Sequence, residues 1–127
     1  MATKKAPIPG LTEADVQKQV VQYIQFKYPD ALIHHSPNEG KRTNQTGMLL
    51  RSMGMHKGFP DLAIFEPRGK YHGLFLELKR DKHSRPTQEQ NAWIKALQNR
   101  GYAAAVTYGF EDTIKALNEY MEVKDNG

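Results

Sequence analysis

The sequence predicts an α/β fold with a mixed central sheet flanked by helices, in the order helix, strand, helix, strand, strand, helix, strand, helix. Three observations lead there. Apolar residues recur at helical spacing early and late in the chain, as Val16, Val20, Tyr23, Ile24 and again as Phe110, Ile114, Leu117, Met121, and this is the signature of helices with one buried face. Between them lie runs of strand character, Asp61 to Phe65 and Gly73 to Glu77, joined by Glu66-Pro67-Arg68-Gly69-Lys70, whose Pro, Gly and charges suit a hairpin connection. Helical and extended segments interleave over a chain of 127 residues, which is one domain's worth of core.

Thr12-Glu13-Ala14-Asp15 has the form of a capping box and opens the first helix, which stops before Pro29. Glu13 there has a plain reading as a first-turn acid favoured by the helix dipole. Ala31 to His35 is a short apolar strand at or near a sheet edge, and Ser36 to Arg42 is a loop by its Pro, Asn and Gly. Met48, Leu49, Arg51 and Met53 fall on a short helix ending at Gly54, with the methionines expected as core filler. Leu74 to Arg80 reads as a strand sending Leu74, Leu76 and Leu78 to one face and Phe75, Glu77 and Lys79 to the other. Thr87 opens a helix with Ala92, Trp93, Ala96 and Leu97 inward and Gly101 at its end; Thr87 and Gln90 form a second capping box. Tyr102 to Tyr108 is expected as a buried strand, followed by the final helix. The domain should span 11–121, with a flexible start at 1–10 and a frayed end at 122–127.

Composition narrows the function classes. With 39% hydrophobic and 25% charged residues and no repeat, the chain is an ordinary globular protein. Its longest uninterrupted apolar run, Tyr102 to Val106, is far too short for a membrane span or a signal peptide's core. The absence of cysteine excludes disulfides and Cys-based zinc sites and is compatible with a reducing cytoplasm. Net charge is +4, but from Asn38 to Arg85 ten Lys and Arg face five Asp and Glu. That concentration of positive charge suits a polyanion such as nucleic acid, although a solvated basic surface looks the same in sequence.

The basic stretch encloses the candidate chemistry. Glu77 and Lys79 are same-face neighbours, about 6 to 7 Å apart along a strand, and a hairpin lets Asp61 join them. Two carboxylates meet the minimum for Mg²⁺, whose other oxygens come from water and phosphate, and an ammonium beside them can stabilise charge on a phosphate. The alternative is a salt-bridged patch on a solvent-facing sheet. The five histidines show no ligand spacing for a histidine-metal site.

Pro60-Asp61 followed by Glu77-Leu78-Lys79 resembles the core of the PD-(D/E)xK nucleases. The flanks, Gly58-Phe59-Pro60-Asp61-Leu62 and Pro86-Thr87-Gln88-Glu89-Gln90-Asn91-Ala92-Trp93, are similar to the VRR-type (virus-type replication-repair) nuclease pattern, and the resemblance runs from about Thr12 to Met121. It implies a restriction-endonuclease-like fold and Mg²⁺- or Mn²⁺-dependent cleavage of DNA, with Asp61, Glu77 and the Leu78 backbone carbonyl as metal ligands and Lys79 as catalytic ammonium. It also makes Gln90 an active-site residue orienting water, phosphate or Lys79, and matches Glu13 to a first-helix glutamate that reaches the metal in part of the superfamily. Asn38 and Arg42 become candidates for phosphate contact, as do Arg51, Lys57, Arg80 and Lys82 from the basic stretch. Small stand-alone members look like homodimeric Holliday-junction resolvases of phage, which points to branched DNA. A monomeric flap or single-strand nuclease, or a non-catalytic DNA-binding module keeping the fold, are the alternatives.

Overall fold

The computed structural model describes residues 11–36 and 44–124. Asn38 and Arg42 lie outside the described residues, as do the termini at 1–10 and 125–127. The element order is α1 (Glu13–Lys27), β1 (Ile33–His35), α2 (Asn44–Ser52), β2 (Leu62–Ile64), β3 (Leu74–Lys79), α3 (Gln88–Gln98), β4 (Ala103–Tyr108) and α4 (Gly109–Met121), as the sequence predicts. No helix among the described residues is long and apolar enough to cross a membrane.

Local chemistry sets the helix starts. Thr12 Oγ1 accepts from the Asp15 N–H at 3.1 Å and Asp15 Oδ2 accepts from the Thr12 N–H at 2.9 Å, so two of the orphan donors at the head of α1 are satisfied. These bonds hold the Asp15 carboxyl below its usual range. Val16, Val20 and Ile24 then repeat along the buried stripe of α1.

The four strands lie in the order β1-β2-β3-β4. β1 with β2 and β2 with β3 are antiparallel, while β3 and β4 are parallel, joined through α3. One face of the sheet packs Leu62, Ile64, Leu74, Leu76 and Leu78 against Val16, Val20 and Ile24 of α1 and Leu117, Tyr120 and Met121 of α4. The other packs Ala63, Phe75 and Ala104 against Ile94 and Leu97 of α3. β3 is thus paired on both edges and covered on both faces, and every residue from Leu74 to Lys79 is buried.

Three expectations need correcting. Ala92, expected on the inner side of α3, is exposed. Tyr102 to Tyr108 is not a buried strand: β4 is the far edge of the sheet, and only Ala104 and Thr107 in it are fully buried. A continuous apolar run does not tell a central strand from an edge whose small residues lie half under a helix. The methionines near α2 are not core filler either, since Met48 and Met53 are 63% and 74% exposed, with Leu49 similar. A helix this short lends an apolar face to the core only if the chain on both sides brings it there.

Gly58 controls how α3 meets the sheet. Its φ of +89° is left-handed, and a Cβ there would lie 2.6 Å from the Glu89 carbonyl carbon and 2.8 Å from the Gln90 nitrogen. Backbone strain and overlap with the first turn of α3 act together, so Gly58→Ala is expected to cost more than about 2 kcal/mol. A denaturant midpoint unchanged by Gly58→Ala would contradict this close approach.

Candidate active site

The hairpin register creates the site. Leu62 pairs with Leu76 across β2 and β3, so one step further the chain sets Asp61 opposite Glu77, and opposed residues of an antiparallel pair present their side chains to one face. Buried Pro60 immediately precedes Asp61, and its ring restricts the backbone leading into this position. The Asp61 carbonyl accepts from the Ser36 N–H at 2.8 Å, continuing the β1 pairing past the end of β2. Its side chain is held from the other side, with Oδ2 accepting from the Leu78 N–H at 2.9 Å. The N–H and C=O of one strand residue face the same neighbour, so the Leu78 carbonyl opens onto the same gap beyond the end of β2.

Glu77 is 2% exposed and Lys79 6%, which rules out a patch on a solvent-facing sheet. Glu77 Oε2 accepts from Gln90 Nε2 at 2.9 Å and lies 3.5 Å from Lys79 Nζ. Lys79 Nζ is also 3.8 Å from Glu13 Oε1, so the first-helix glutamate does reach the site, through the lysine. Glu77 Oε1 is buried and takes no hydrogen bond from a donor group among the described residues. Burial first, then the charge of Asp61 and a hydrogen bond shared between the two carboxyl groups, push the Glu77 carboxyl up to about 9, against a smaller opposing pull from Lys79.

Gln90 both caps α3 and touches Glu77. Its Oε1 accepts from the Thr87 N–H at 2.8 Å and Thr87 Oγ1 accepts from the Gln90 N–H at 3.1 Å, which completes the capping box. Because the amide oxygen is committed to a donor, its NH₂ must be the group that turns to Glu77. Its partner is therefore Glu77, not Lys79. Gln90→Glu separates the two parts: it keeps an acceptor for the cap but sets a carboxylate against Oε2. The helix cap should be kept while activity falls about 10- to 100-fold, the usual cost of disturbing a ligand's supporting bond. A Gln90→Glu protein with the parental rate would reduce Gln90 to a helix cap.

The donors present suit a hard divalent cation. They are oxygens, one is buried without a donor group among the described residues, and the Glu77 carboxyl is raised by Asp61 more than it is lowered by Lys79. Among the described residues no three His, Cys, Asp or Glu side chains form a metal-holding group, so the Asp61 and Glu77 pair would need backbone, water or phosphate oxygens to complete a shell. Arg51, Lys57, Arg80 and Lys82 are all exposed, and Arg80 Nε pairs with Asp81 Oδ2 at 3.0 Å.

Glu13, Asp61, Glu77 and Gln90 open into a cleft of about 410 Å³ whose lining also includes Ser36, Met55, His56, Phe59 and Trp93. The sequence did not single these out as site residues. Trp93 had one available signal, its position three residues after Gln90 on the same helix side. His56 and Phe59 come from irregular chain, where no periodicity reports orientation.

The sequence matches the VRR-NUC domain over residues 11–111. Among solved structures, one described as a VRR_NUC domain protein is 34% identical, with a TM-score of 0.78 over 93% of this chain and 94% of that one. A second, described as a VRR_NUC domain, is 22% identical with a TM-score of 0.53 over 87% of this chain and 99% of that one, and shares the fold. No curated protein matches the sequence. With the motif residues gathered at the end of the hairpin and the family match running through all of them, the chain belongs to the VRR-NUC nuclease family, within the PD-(D/E)xK superfamily.

Proposed function

We propose that this nuclease is a Mg²⁺- or Mn²⁺-dependent DNA endonuclease that acts on branched DNA as a homodimer, in the manner of a Holliday-junction resolvase. The observation that carries the metal-dependent reading is the buried Glu77 Oε1, set beside Asp61 with no donor group to it among the described residues. A carboxylate in that position is unfavourable without a cation, and the cation it accommodates is a hard one.

Asp61, Glu77 and the Leu78 carbonyl would hold the ion, with Glu13 as a further carboxylate within reach of the same lysine. When bound, a divalent ion supplies Lewis-acid stabilisation of the charge developing on the phosphate. Gln90 keeps Glu77 Oε2 turned to a fixed position, so the ligand does not have to reorganise as charge develops. Lys79 Nζ, held between Glu13 and Glu77, donates to the attacking water or to a phosphoryl oxygen. Water adds to phosphorus and gives up a proton, the bond to the leaving oxygen breaks, and that oxygen takes up a proton in exchange. Arg51, Lys57, Arg80 and Lys82, with Asn38 and Arg42, contribute contacts to phosphates remote from the cut, which raise affinity without reading sequence.

A single domain of this size offers a small DNA footprint and one cut. A two-fold dimer sets two identical sites in fixed opposition, which matches the symmetry of a four-way junction. Light scattering combined with cleavage of junction, flap, duplex and single-stranded DNA tests this, with and without Mg²⁺ or Mn²⁺. The expected result is a dimer that cuts junctions in preference to the other three. A monomer that prefers flaps would overturn the resolvase reading and leave the metal nuclease standing. A dimer that binds but cuts nothing with either metal would make the chain a DNA-binding module.

A further inference from the structure

The cleft holding the carboxylates has a second half that phosphodiester hydrolysis does not require. Its wall is aromatic, formed by Phe59, Trp93 and His56. The rings are chained edge to face: Phe59 and Trp93 have centroids 5.0 Å apart at 81°, and His56 and Trp93 are 5.7 Å apart at 63°. Phe59 is anchored edge-on to buried Phe75 at 6.0 Å. Chained this way the rings hold one another's orientation, yet Trp93 stays half-buried and His56 exposed. A tryptophan serving only to cover the Ala63, Phe75 and Ile94 cluster accounts for the Phe59 contact. It does not account for a second ring, His56, lining open cleft on its outer side.

The wall is close to the reacting groups. Trp93 follows Gln90 by three residues on one side of α3, about 4.5 Å along the axis, and Gln90 touches Glu77. A cleft of about 410 Å³ exceeds what an ion and a phosphate fill and falls in the range that holds a small organic group. An oxyanion-handling end with an aromatic wall one helical turn away has the dimensions and chemistry of a single nucleotide.

We infer that the Phe59, Trp93 and His56 wall is a nucleobase subsite that takes one unpaired base next to the phosphate being cut. The inference rests on the nuclease reading and narrows its substrate. A base stacked in continuous duplex has both faces covered and cannot enter, whereas one at a branch point, flap or single-stranded stretch can. Recognition is by stacking, which every base offers, so the subsite selects unpaired structure and not sequence.

Trp93 is the one tryptophan in the chain, so its fluorescence reports on this wall directly. The protein is titrated with a short oligothymidylate, with an abasic deoxyribose-phosphate strand of equal length, and with duplex, in Ca²⁺ to offset the carboxylates. Oligothymidylate should quench Trp93 and bind about tenfold more tightly than the abasic strand, and duplex should leave the emission nearly unchanged. Trp93→Phe should keep most of the preference for bases, and Trp93→Leu and His56→Ala should reduce it. If Trp93→Leu does not fold, the exposed His56→Ala variant and the two strands on unaltered protein still decide the matter. Equal affinity for the two strands, or an unquenched tryptophan, would overturn the subsite. Cleavage is scored separately: a protein that cuts DNA without base-dependent quenching loses only the subsite, and one that quenches but never cuts loses the nuclease reading.

Discussion

Asp61→Asn is expected to lower DNA cleavage by about 10³-fold or more, the scale of losing a Lewis-acid contribution of several kcal/mol. Asparagine is the informative replacement. Asp61 Oδ2 accepts the Leu78 N–H at 2.9 Å, so Asp61→Ala strips a partly buried donor of its partner, at a cost of about 1–3 kcal/mol. The same change also removes the carboxyl group that opposes ionisation of Glu77, and the two stability effects act in opposite directions. Asn keeps an oxygen for Leu78 and removes the charge, so lost activity then reads on the metal and not on the fold. Thermal melting alongside a cleavage time course makes the separation. An Asp61→Asn protein that cleaves in Mg²⁺ at the parental rate would remove Asp61 from the metal site.

The metal-free protein is expected to lose stability as pH rises, with the loss spread from about 4.5 to about 9 and belonging to Glu77. Its carboxyl is held far above its ordinary value by burial and by Asp61, so over that interval the folded state carries a proton that the unfolded chain has released. The contribution is fully present below the ordinary carboxylate value and is gone above the folded one. A divalent cation held by the proposed ligands would take that proton's place, so Mg²⁺ or Mn²⁺ should raise the melting temperature more at the alkaline end and release protons as it binds. Melting curves across pH, with chelator and with metal, check both parts. Glu77→Gln should flatten the metal-free dependence and abolish the response to metal. A parental protein whose melting temperature rises between neutral and alkaline pH in chelator would show that Glu77 is not held protonated.

The parts of the site legible in the sequence are those governed by neighbours along the chain. Both capping boxes join residues three apart, Thr12 with Asp15 and Thr87 with Gln90, and such bonds depend on little beyond residue type and helical geometry. The hairpin that brings Asp61 and Glu77 to one face follows from two strand runs and the turn between them, because the two-residue period of a strand excludes any slip by one residue. Tertiary structure alone decided what surrounds those groups. Glu77 and Lys79 could have sat on an open sheet face; they are buried because α3 lies across β3 while β2 and β4 pair with its edges. The second bond of Gln90, to a carboxylate thirteen residues earlier, exists only because α3 docks with its first turn against Gly58. The edge position of β4, the exposed methionines around α2 and the aromatic wall at Trp93 have the same origin. Each depends on which elements pack together, and neither local periodicity nor capping chemistry encodes burial, which is a property of the neighbours that the rest of the chain supplies.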